Sequence, residues 1–312
     1  MEKVSVIVIT RNRAAELDKC IKSVKNQTYL NFEIIIVDGK STDKTAEVAS
    51  RNKVKLIQQK GSGMSNARNC GLANVSGEIV AFIDDDCIAD QNWLKELVKW
   101  YSNDVAGVGG KPILVNRMLA NDEVTPETFI VMRGLIDVSN KSIGKLLPSG
   151  WAAGNFEAGV NVLEVEHLIG CNMSFRRKLL RRVGFDENYI GNCIREDTDA
   201  CIAIRRMGYK LIYNPEAIVW HNHSQTSRTN FGLVTYYDRL NGIYFVLKYD
   251  LLTSVSGVIK FFLAQVLCVF SGIYRSLVCK DLRYLLVVKG VVYGFSRAKT
   301  LLKNRDKYLN KI

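Results

Sequence analysis

The sequence Ile79-Val80-Ala81-Phe82-Ile83-Asp84-Asp85-Asp86 decides the fold, because it joins a buried strand to three carboxylates. Its five apolar residues show no alternation, which is typical of a strand buried on both faces in a parallel sheet. The acidic residues follow at the C-terminal end, where open α/β sheets bind their ligands. Adjacent carboxylates repel one another, so a cation, basic side chains or water must offset their charge. A hard divalent ion such as Mg²⁺ prefers oxygen ligands. The alternative is a solvated acidic turn before a helix at 92–100.

Strands and short helices alternate around this segment. We predict strands at Val4–Thr10, Phe32–Val37, Val54–Gln58 and Ile79–Ile83. We predict one helix at Ala14–Lys25, a second that follows the second strand and ends at Ser50, and a third at Met64–Ala73. The first helix carries leucine, isoleucine and valine at the spacing of one helical face. This alternation predicts an α/β, Rossmann-like fold, with a mostly parallel sheet and helices on both faces.

The second half of the chain is less regular. We predict a strand at Val105–Val115, a long loop at Asn116–Gly159 with one helix near Glu127–Val138, a helix at Asp197–Met207, and short strands at Tyr209–Asn214 and Ala217–His221. Helical sequence dominates from Phe231 onward. We therefore expect an α/β domain at 1–225, with halves at 1–110 and 111–225, and a helical tail at 226–312.

The formal net charge of +12 is concentrated at the C-terminal end. From Arg275 onward, ten basic residues stand against two acidic ones, which suits an anionic membrane surface or nucleic acid. These cations alternate with apolar runs and form no recognisable nucleic-acid motif, so we expect a membrane surface and no nucleic acid. The eight cysteines include no C-x-x-C pair, which favours a reducing compartment. The apolar run Val4–Ile9 is too short for a signal peptide.

Leu251–Tyr274 carries a single charge, Lys260, and as a helix is long enough to cross the ~30 Å hydrocarbon core of a bilayer. Its serines, glycines and Gln265 make it a mediocre spanning segment, so packing against the α/β domain is an open alternative. Leu282–Phe295 is shorter and looks more like an interfacial helix. The tail therefore predicts a position at the cytoplasmic face of the cell membrane, peripheral or anchored by its helices.

Polar residues follow three of the predicted strands at the same edge of the sheet. Thr10-Arg11-Asn12 follow the first strand, Asp38 the second, and Asp84-Asp85-Asp86 the fourth. Because the carboxyl ends of parallel strands share one rim, we expect these side chains to form one site. Taken singly, Asp38 before Gly39 is explained by a local turn, and Arg68 by a solvated helix surface.

The order of these motifs resembles the inverting nucleotide-sugar glycosyltransferases of family 2, which have the GT-A fold. The resemblance covers about residues 3–222. The matching segments are Val6–Asn12, Val37–Asp43, Ala67–Gly71, Asp84–Asp86, Gly170–Arg176, Gly184–Glu187, Glu196-Asp197 and Trp220-His221. Each segment alone is weakly specific, whereas the ordered set with its spacing is strongly so. The resemblance implies a nucleotide-sugar half at 1–110 and an acceptor half at 111–225.

The resemblance also implies how a donor is bound. Asp38 would bind the base of a nucleotide-diphosphate sugar, UDP- or GDP-linked, and the nucleotide would be held by Arg68 and by Thr10-Arg11-Asn12. This sequence departs from many relatives at one point, because Arg11 stands where they have an aromatic residue. Stacking on the base is therefore not implied here.

A divalent metal, Mg²⁺ or Mn²⁺, is implied at the acidic triplet. By resemblance, Asp84 would touch the ribose and Asp86 would ligate the metal, while Asp85 belongs to the donor site without a defined role. His221 resembles the late histidine that contacts the metal or the diphosphate, and His223 is a possible substitute. A lone histidine near the end of a strand has a structural role more often.

The resemblance implies that the acceptor half supplies the catalytic base. Asp197 matches the family's base, with Glu196 supporting it or facing the acceptor. The segment Gly170–Arg176 would form a wall on the acceptor side, with Asn172 and Arg176 as contacts. The alternative for Asp197 is that it only begins a helix, where a carboxylate is favoured in any case.

A carboxylate base opposite a departing diphosphate implies a single displacement, and hence inversion at the anomeric carbon. A metal would offset the negative charge that grows on the diphosphate. We therefore predict a metal-dependent inverting glycosyltransferase, hexosyltransferase-like, acting on a lipid-linked or polysaccharide acceptor. The alternatives are a non-catalytic sugar-nucleotide-binding protein and, less favoured, a basic nucleic-acid-binding protein.

Overall fold

The computed structural model describes residues 1–115, 142–191, 193–222, 224 and 231–302. The strands are β1 (Val4–Thr10), β2 (Phe32–Asp38), β3 (Lys55–Gln58), β4 (Ile79–Asp84), β5 (Cys87–Ala89), β6 (Val105–Leu114), β7 (Lys145–Leu146), β8 (Ala152–Ala153), β9 (Leu163–Val165), β10 (Asn172–Arg176) and β11 (Lys210–His221). The helices are α1 (Ala14–Lys25), α2 (Thr45–Arg51), α3 (Met64–Ala73), α4 (Trp93–Val98), α5 (Arg177–Val183), α6 (Glu196–Arg206), α7 (Phe231–Lys248), α8 (Val255–Cys279) and α9 (Leu286–Leu302). Short 3₁₀ turns lie at Phe156–Ala158 and Leu282–Leu285.

The central sheet is mixed and mostly parallel. Its strand order is β3-β2-β1-β4-β10-β6-β11-β5, with β9 paired to β11. The first four strands of this order are parallel, so their carboxyl ends lie on one edge. β10 runs antiparallel between β4 and β6 and joins the two halves of the sheet. The predicted α/β architecture is confirmed, and the antiparallel β10 is a feature that the sequence did not indicate.

Hydrophobic clusters cover both faces of this sheet. Val6 and Val8 of β1 contact the cluster that contains α1 and α4, whereas Ile7 contacts the opposite cluster with α3 and α6. The apolar face predicted for α1 is buried in the first cluster, beside the fully buried Trp93. Burial on both faces explains why the strands show no polar alternation.

The two short strands predicted at Tyr209–Asn214 and Ala217–His221 are one continuous strand, β11, and Pro215 lies inside it. The pairing of β11 with β6 shifts register between Asn214 and Ile218. A proline cannot donate to the ladder, so the irregularity falls where the N–H is missing, and pairing resumes beyond it. β5 was not predicted because three residues are too few for a periodic signal. It pairs with the end of β11 and sets Cys87 opposite His221.

Part of the long loop predicted at 116–159 contains regular structure. Its described portion, 142–159, contains β7, β8 and the first 3₁₀ turn. The helix expected near 127–138 lies outside the described residues. The helix expected at Asp197–Met207 is α6, which begins one residue earlier, at Glu196.

The first helix of the tail packs directly on the α/β domain. Tyr189 and Ile202 of the domain share a hydrophobic cluster with Tyr244, Phe245 and Tyr249 of α7 and the turn after it. The boundary proposed at residue 225 therefore crosses a packed interface. Whether 226–312 forms a separate domain stays a prediction.

A buried ion cluster fastens this interface. The Lys248 Nζ on α7 lies 2.7 Å from Asp186 Oδ2 and 2.7 Å from Asp199 Oδ1. Tyr244 donates to Asp186 (2.8 Å), and Tyr189 donates to Asp199 (2.9 Å). One cation is thus shared by two buried carboxylates that belong to different parts of the domain.

The last helix, α9, packs on α7 through small residues. A Cβ on Gly290 of α9 would lie 2.7 Å from the Tyr236 carbonyl, so only glycine allows this approach to α7. The segment predicted at 251–274 becomes α8, which begins at Val255. In the described part of the chain, α8 is the one helix long and apolar enough to cross a membrane, and 28% of its most apolar window is buried.

We predict that Lys248→Met destabilises the fold by about 3–5 kcal/mol, because it leaves Asp186 and Asp199 buried without their cation. Urea unfolding followed by circular dichroism measures this loss. Lys178→Met, at an exposed lysine of α5, is the matched control and should change stability by less than about 0.5 kcal/mol. Equal stabilities of the two variants would contradict the role assigned to Lys248.

Candidate active site

The sheet register brings the predicted polar residues of three strands together. Thr10 pairs with Asp38 across β1 and β2, and Ile9 pairs with Asp84 across β1 and β4. The three polar residues therefore lie on neighbouring strands at the carboxyl edge of the sheet. The structure places them together, as the sequence predicted.

Asp38 is held in place by its own turn. It is buried, and its carboxylate accepts hydrogen bonds from Ser41 N (3.0 Å) and Gln58 Nε2 (2.7 Å). Asn12 joins the two loops, because its side-chain oxygen accepts from Thr42 N at 2.7 Å and its backbone N–H donates to Ser41 Oγ at 2.8 Å. The local turn suggested as the alternative for Asp38 is thus real, and it fixes the carboxylate at the rim.

The side chains of Arg11 and Arg13, which follow the first strand, have different surroundings. Arg11 is exposed next to Gly39, at the same rim. Arg13, which the sequence analysis did not select, lies with Nη1 2.9 Å from Asp85 Oδ1 and 3.5 Å from Asp86 Oδ2. Its position could have indicated this pairing, because Arg13 follows the first strand by three residues, in the turn that faces the acidic triplet.

Burial and charge set unequal pKa values in the triplet. Burial raises the pKa of Asp85 to about 6, although Arg13 opposes the shift. Burial would also raise the pKa of Asp86, but the His221 ring and Arg13 outweigh it and lower this pKa to about 2. Burial would lower the pKa of His221, yet Asp86 and Cys171 raise it to about 11. Without a metal, His221 is therefore a cation paired with Asp86, and their atoms Nε2 and Oδ1 are 3.1 Å apart.

The donor atoms of this cluster fit a divalent metal. One ligand atom each from Asp84, Asp86 and His221 lie within 4.8 Å of one another. Among the described residues, Asp86 Oδ1 is buried without an aligned hydrogen-bond donor. Two carboxylates and an imidazole suit Mg²⁺ or Mn²⁺.

Arg68 connects the donor side of the site to the acceptor half. It is buried on α3, forms an ion pair with Glu196, and packs over the rings of Phe82 and Phe185 at 5.8 and 5.5 Å. Its charge also acts on the nearby Asp84, where it opposes the rise of that pKa caused chiefly by burial. The alternative explanation of Arg68 as a solvated residue on a helix surface is therefore wrong, because the side chain is inside the protein.

Asp197 lies at the edge of a cavity of about 160 Å³ that His167, Arg195 and Thr198 also line. Its carboxylate accepts hydrogen bonds from Gly170 N (2.9 Å) and Thr198 N (2.7 Å). A Cβ on Gly170 would lie 2.8 Å from Arg68 Nη2 and 3.1 Å from Asp197 Oδ2, so glycine lets these groups meet. Asp197 is thus oriented by backbone groups and faces open space.

Three residues assigned to the acceptor side are placed differently. Asn172 is fully buried, and its amide accepts from Trp93 Nε1 and donates to Ala217 O, both at 2.8 Å. Arg176 pairs with Ile79 at the opposite end of β4, because β10 runs antiparallel, and it binds Glu2. Glu196 is buried against Arg68.

The assignments of Asn172 and Arg176 as acceptor contacts are therefore wrong. Glu196 is buried and paired with Arg68, and its role in the site stays a prediction. The family resemblance had assigned the whole segment 170–176 to a wall on the acceptor side. In a strand, only its end nearest the rim can reach the site, and the direction of β10 was not readable from the sequence. Of the two histidines considered, His221 lies in the site and His223 lies outside the described residues.

The comparisons with known proteins identify the family of this chain. A sequence model of the family described as Glycosyl transferase family 2 matches residues 5–184. The glycosyltransferase GlyA of Streptococcus pneumoniae is 38% identical over 31% of this chain, but this alignment spans only 15% of GlyA. The glucosyl-dolichyl phosphate glucuronosyltransferase of Haloferax volcanii is 28% identical over 70% of this chain and 69% of its own length.

Solved structures show the same fold. The mannosyltransferase PcManGT of Pyrobaculum calidifontis, solved in complex with GDP-Man and Mn²⁺, superposes with a TM-score of 0.56 and 19% identity. The superposition covers 99% of this chain and 85% of PcManGT. At this identity the likeness establishes the GT-A fold, as the sequence predicted.

We predict that Asn172→Ala destabilises the protein by about 2–4 kcal/mol, because it leaves Trp93 Nε1 and the Ala217 carbonyl buried without partners. Urea unfolding measures the change, with Asn26→Ala at the exposed end of α1 as the control. If both variants unfolded at the same urea concentration, the structural role given to Asn172 would be wrong.

Proposed function

The chain belongs to glycosyl transferase family 2. On that premise we propose that it is a glycosyltransferase that catalyses a metal-dependent, inverting transfer from a nucleotide-diphosphate sugar to a hydroxyl of a lipid-linked or polysaccharide acceptor. One observation carries this proposal. Arg68 links the two sides of the site: its charge acts on Asp84 at the rim, and its guanidinium donates to the carbonyl of Gly170, whose N–H in turn donates to Asp197 beside the cavity.

The donor would lie across the carboxyl edge of β1, β2 and β4. Asp38 would accept hydrogen bonds from the base, with Thr10-Arg11-Asn12 along the nucleotide and Asp84 at the ribose. Asp85 would act through Arg13, because these two side chains are already paired. Arg68 would stabilise this side mainly through its charge, since its guanidinium is occupied by Glu196 and the Gly170 carbonyl.

Asp86, Asp84 and His221 would hold the divalent ion. When bound, the ion would offset the negative charge that develops on the leaving diphosphate, where repulsion between unit charges 4 Å apart costs about 4 kcal/mol at an effective dielectric of about 20. The ion and the proton of His221 would exclude each other, since only a neutral imidazole offers a lone pair.

Asp197 would remove the proton of the acceptor hydroxyl as the hydroxyl attacks. The two backbone N–H groups that bind its carboxylate hold it in one orientation. A base on the acceptor side, opposite the departing diphosphate, gives a single displacement and an inverted product. The glucuronosyltransferase relative is named for a dolichyl phosphate-linked substrate, which supports a lipid-linked acceptor for this chain.

We predict that Asp197→Asn keeps donor binding and lowers turnover by about 10²–10⁴-fold, because it removes the general base. Thermal stabilisation by a panel of nucleotide sugars with Mn²⁺ measures binding, and slow hydrolysis of the same donors measures turnover. Asp104→Asn, at an exposed carboxylate far from the rim, is the matched control.

Asp86→Asn separates the two parts of this proposal. It should remove the Mn²⁺-dependent share of the stabilisation, whereas Asp197→Asn should retain it. Unchanged hydrolysis in Asp197→Asn would refute its role as base. If no nucleotide sugar stabilised the wild-type protein with any divalent ion, the proposed donor site would fail.

We also propose that the protein is attached to the cytoplasmic face of the membrane through the outer side of α8. Exposed apolar residues recur along this helix at intervals of three or four, namely Val255, Ile259, Phe262, Val266, Phe270, Ile273 and Leu277. The opposite side is buried, and a Cβ on Gly257 would lie 2.3 Å from the Pro148 carbonyl.

Because one side of α8 is buried against the rest of the protein, we favour a helix that lies in the membrane surface over one that spans it. At 25 residues it would expose an apolar stripe about 37 Å long. Arg275, Lys280 and Arg283 near its end would add attraction to anionic lipids, at about 1 kcal/mol per basic residue.

We predict that Ile259→Glu combined with Phe270→Glu abolishes flotation with vesicles of equal parts phosphatidylcholine and phosphatidylglycerol, because carboxylates are repelled by the anionic surface. Leu30→Glu, at an equally exposed apolar residue of the α/β domain, is the control and should float. Donor hydrolysis in solution should stay unchanged in both variants. Wild-type flotation of the double variant would exclude α8 as the contact.

A further inference from the structure

A second set of metal-ligating side chains lies next to the carboxylates of the proposed metal site. One donor atom each from Cys87, Cys171 and His221 lie within 4.8 Å of one another. His221 also belongs to the first set, with Asp84 and Asp86. The imidazole is therefore shared by a carboxylate group and a thiol group.

The backbone creates this second set. Cys87 opens β5 directly after the acidic triplet, and the pairing of β5 with β11 places it opposite His221. Cys171 lies just before β10, which pairs with β4 on the other side. Because three different strand ends position these groups, the juxtaposition does not depend on a flexible side chain.

Both thiols are buried and neither forms a disulfide. Cys87 is 0% exposed and Cys171 is 4% exposed. The proposed transfer reaction uses neither of them. Small buried thiols often serve only as core residues, and here both also contact the hydrophobic cluster of α1 and α4. This pair of thiols differs from ordinary core cysteines because the imidazole of His221 lies within 4.8 Å of both sulfur atoms.

We propose that Cys87, Cys171 and His221 form a binding site for a thiophilic divalent ion such as Zn²⁺, and that an ion bound there inhibits the enzyme. Two sulfur atoms and one imidazole nitrogen are a common tetrahedral zinc set, with water or a carboxylate in the fourth position. Mg²⁺ and Mn²⁺ prefer oxygen ligands and would stay at the carboxylates. The two sets thus differ in the ions they select.

Inhibition follows from the shared histidine, and this part rests on the proposed function. A neutral imidazole has one lone pair and can ligate one ion at a time. An ion held by the two thiolates would therefore take His221 from Asp84 and Asp86, and weaken the site for Mg²⁺ or Mn²⁺. Binding to the thiols does not itself depend on the proposed function.

The binding test uses Co²⁺ as a spectroscopic substitute for Zn²⁺. The full-length protein, freed of metal with a chelator and kept reduced with a phosphine, is titrated with Co²⁺. We expect an intense thiolate-to-cobalt charge-transfer band that saturates at one equivalent and that Zn²⁺ displaces. Cys87→Ser and Cys171→Ser should each lose the band, whereas the control Cys279→Ser, at an exposed cysteine on α8, should keep it.

Circular dichroism of each variant shows whether it is folded, and Asp86→Asn provides a second control that leaves both thiols intact. This variant should retain the cobalt band while losing Mn²⁺-dependent donor stabilisation. Absence of the band in the wild-type protein, or its persistence in both folded serine variants, would overturn the site.

The inhibition test measures donor hydrolysis in excess Mn²⁺ with increasing Zn²⁺. We expect the Zn²⁺ concentration for half inhibition to rise by more than about tenfold in Cys87→Ser and in Cys171→Ser. Equal sensitivity of wild type and both variants would refute the inhibitory role. A protein without any donor hydrolysis would contradict the proposed function, and the cobalt titration would still decide whether the thiol site exists.

Discussion

The mutual repulsion of three carboxylates at a buried strand end is the constraint on which the site depends. Arg13 lies 2.9 Å from Asp85, and His221 lies 3.1 Å from Asp86, so two basic side chains face three carboxylates. The carboxylates outnumber these partners, and a divalent ion in the proposed site would offset the remaining negative charge.

Arg68 unites parts of the chain that lie more than a hundred residues apart. Its guanidinium pairs with Glu196, contacts the Gly170 carbonyl and stacks on Phe82 and Phe185. Because the ion pair is buried, removal of either partner would leave an uncompensated charge inside the protein. The motif residues at 68, 170 and 196 thus act as one unit, and the two halves of the sheet are held at a fixed distance across the site.

Helix α6 couples the proposed catalytic base to the tail. Asp197, in its first turn, faces the cavity, while Asp199, two residues later, binds Lys248 of α7 on the other side. Arg195, directly before the helix, and Arg239 of α7 both pack on Trp151 at 4.8 Å. A membrane contact at α8 would therefore lie one helix away from the base, which suits an acceptor that reaches the cavity from a lipid surface.

The sequence by itself determined the α/β fold, the shared rim of Asp38 and Asp84–Asp86, and the family, because apolar periodicity and the order of the motifs can be read directly along the chain. Only the tertiary structure decided the direction of β10, which turns Arg176 to the far edge and buries Asn172. It also decided the partners of Arg13 and the meeting of Cys87 with Cys171 and His221. These features depend on which strands become neighbours, and no residue carries that information in its local pattern.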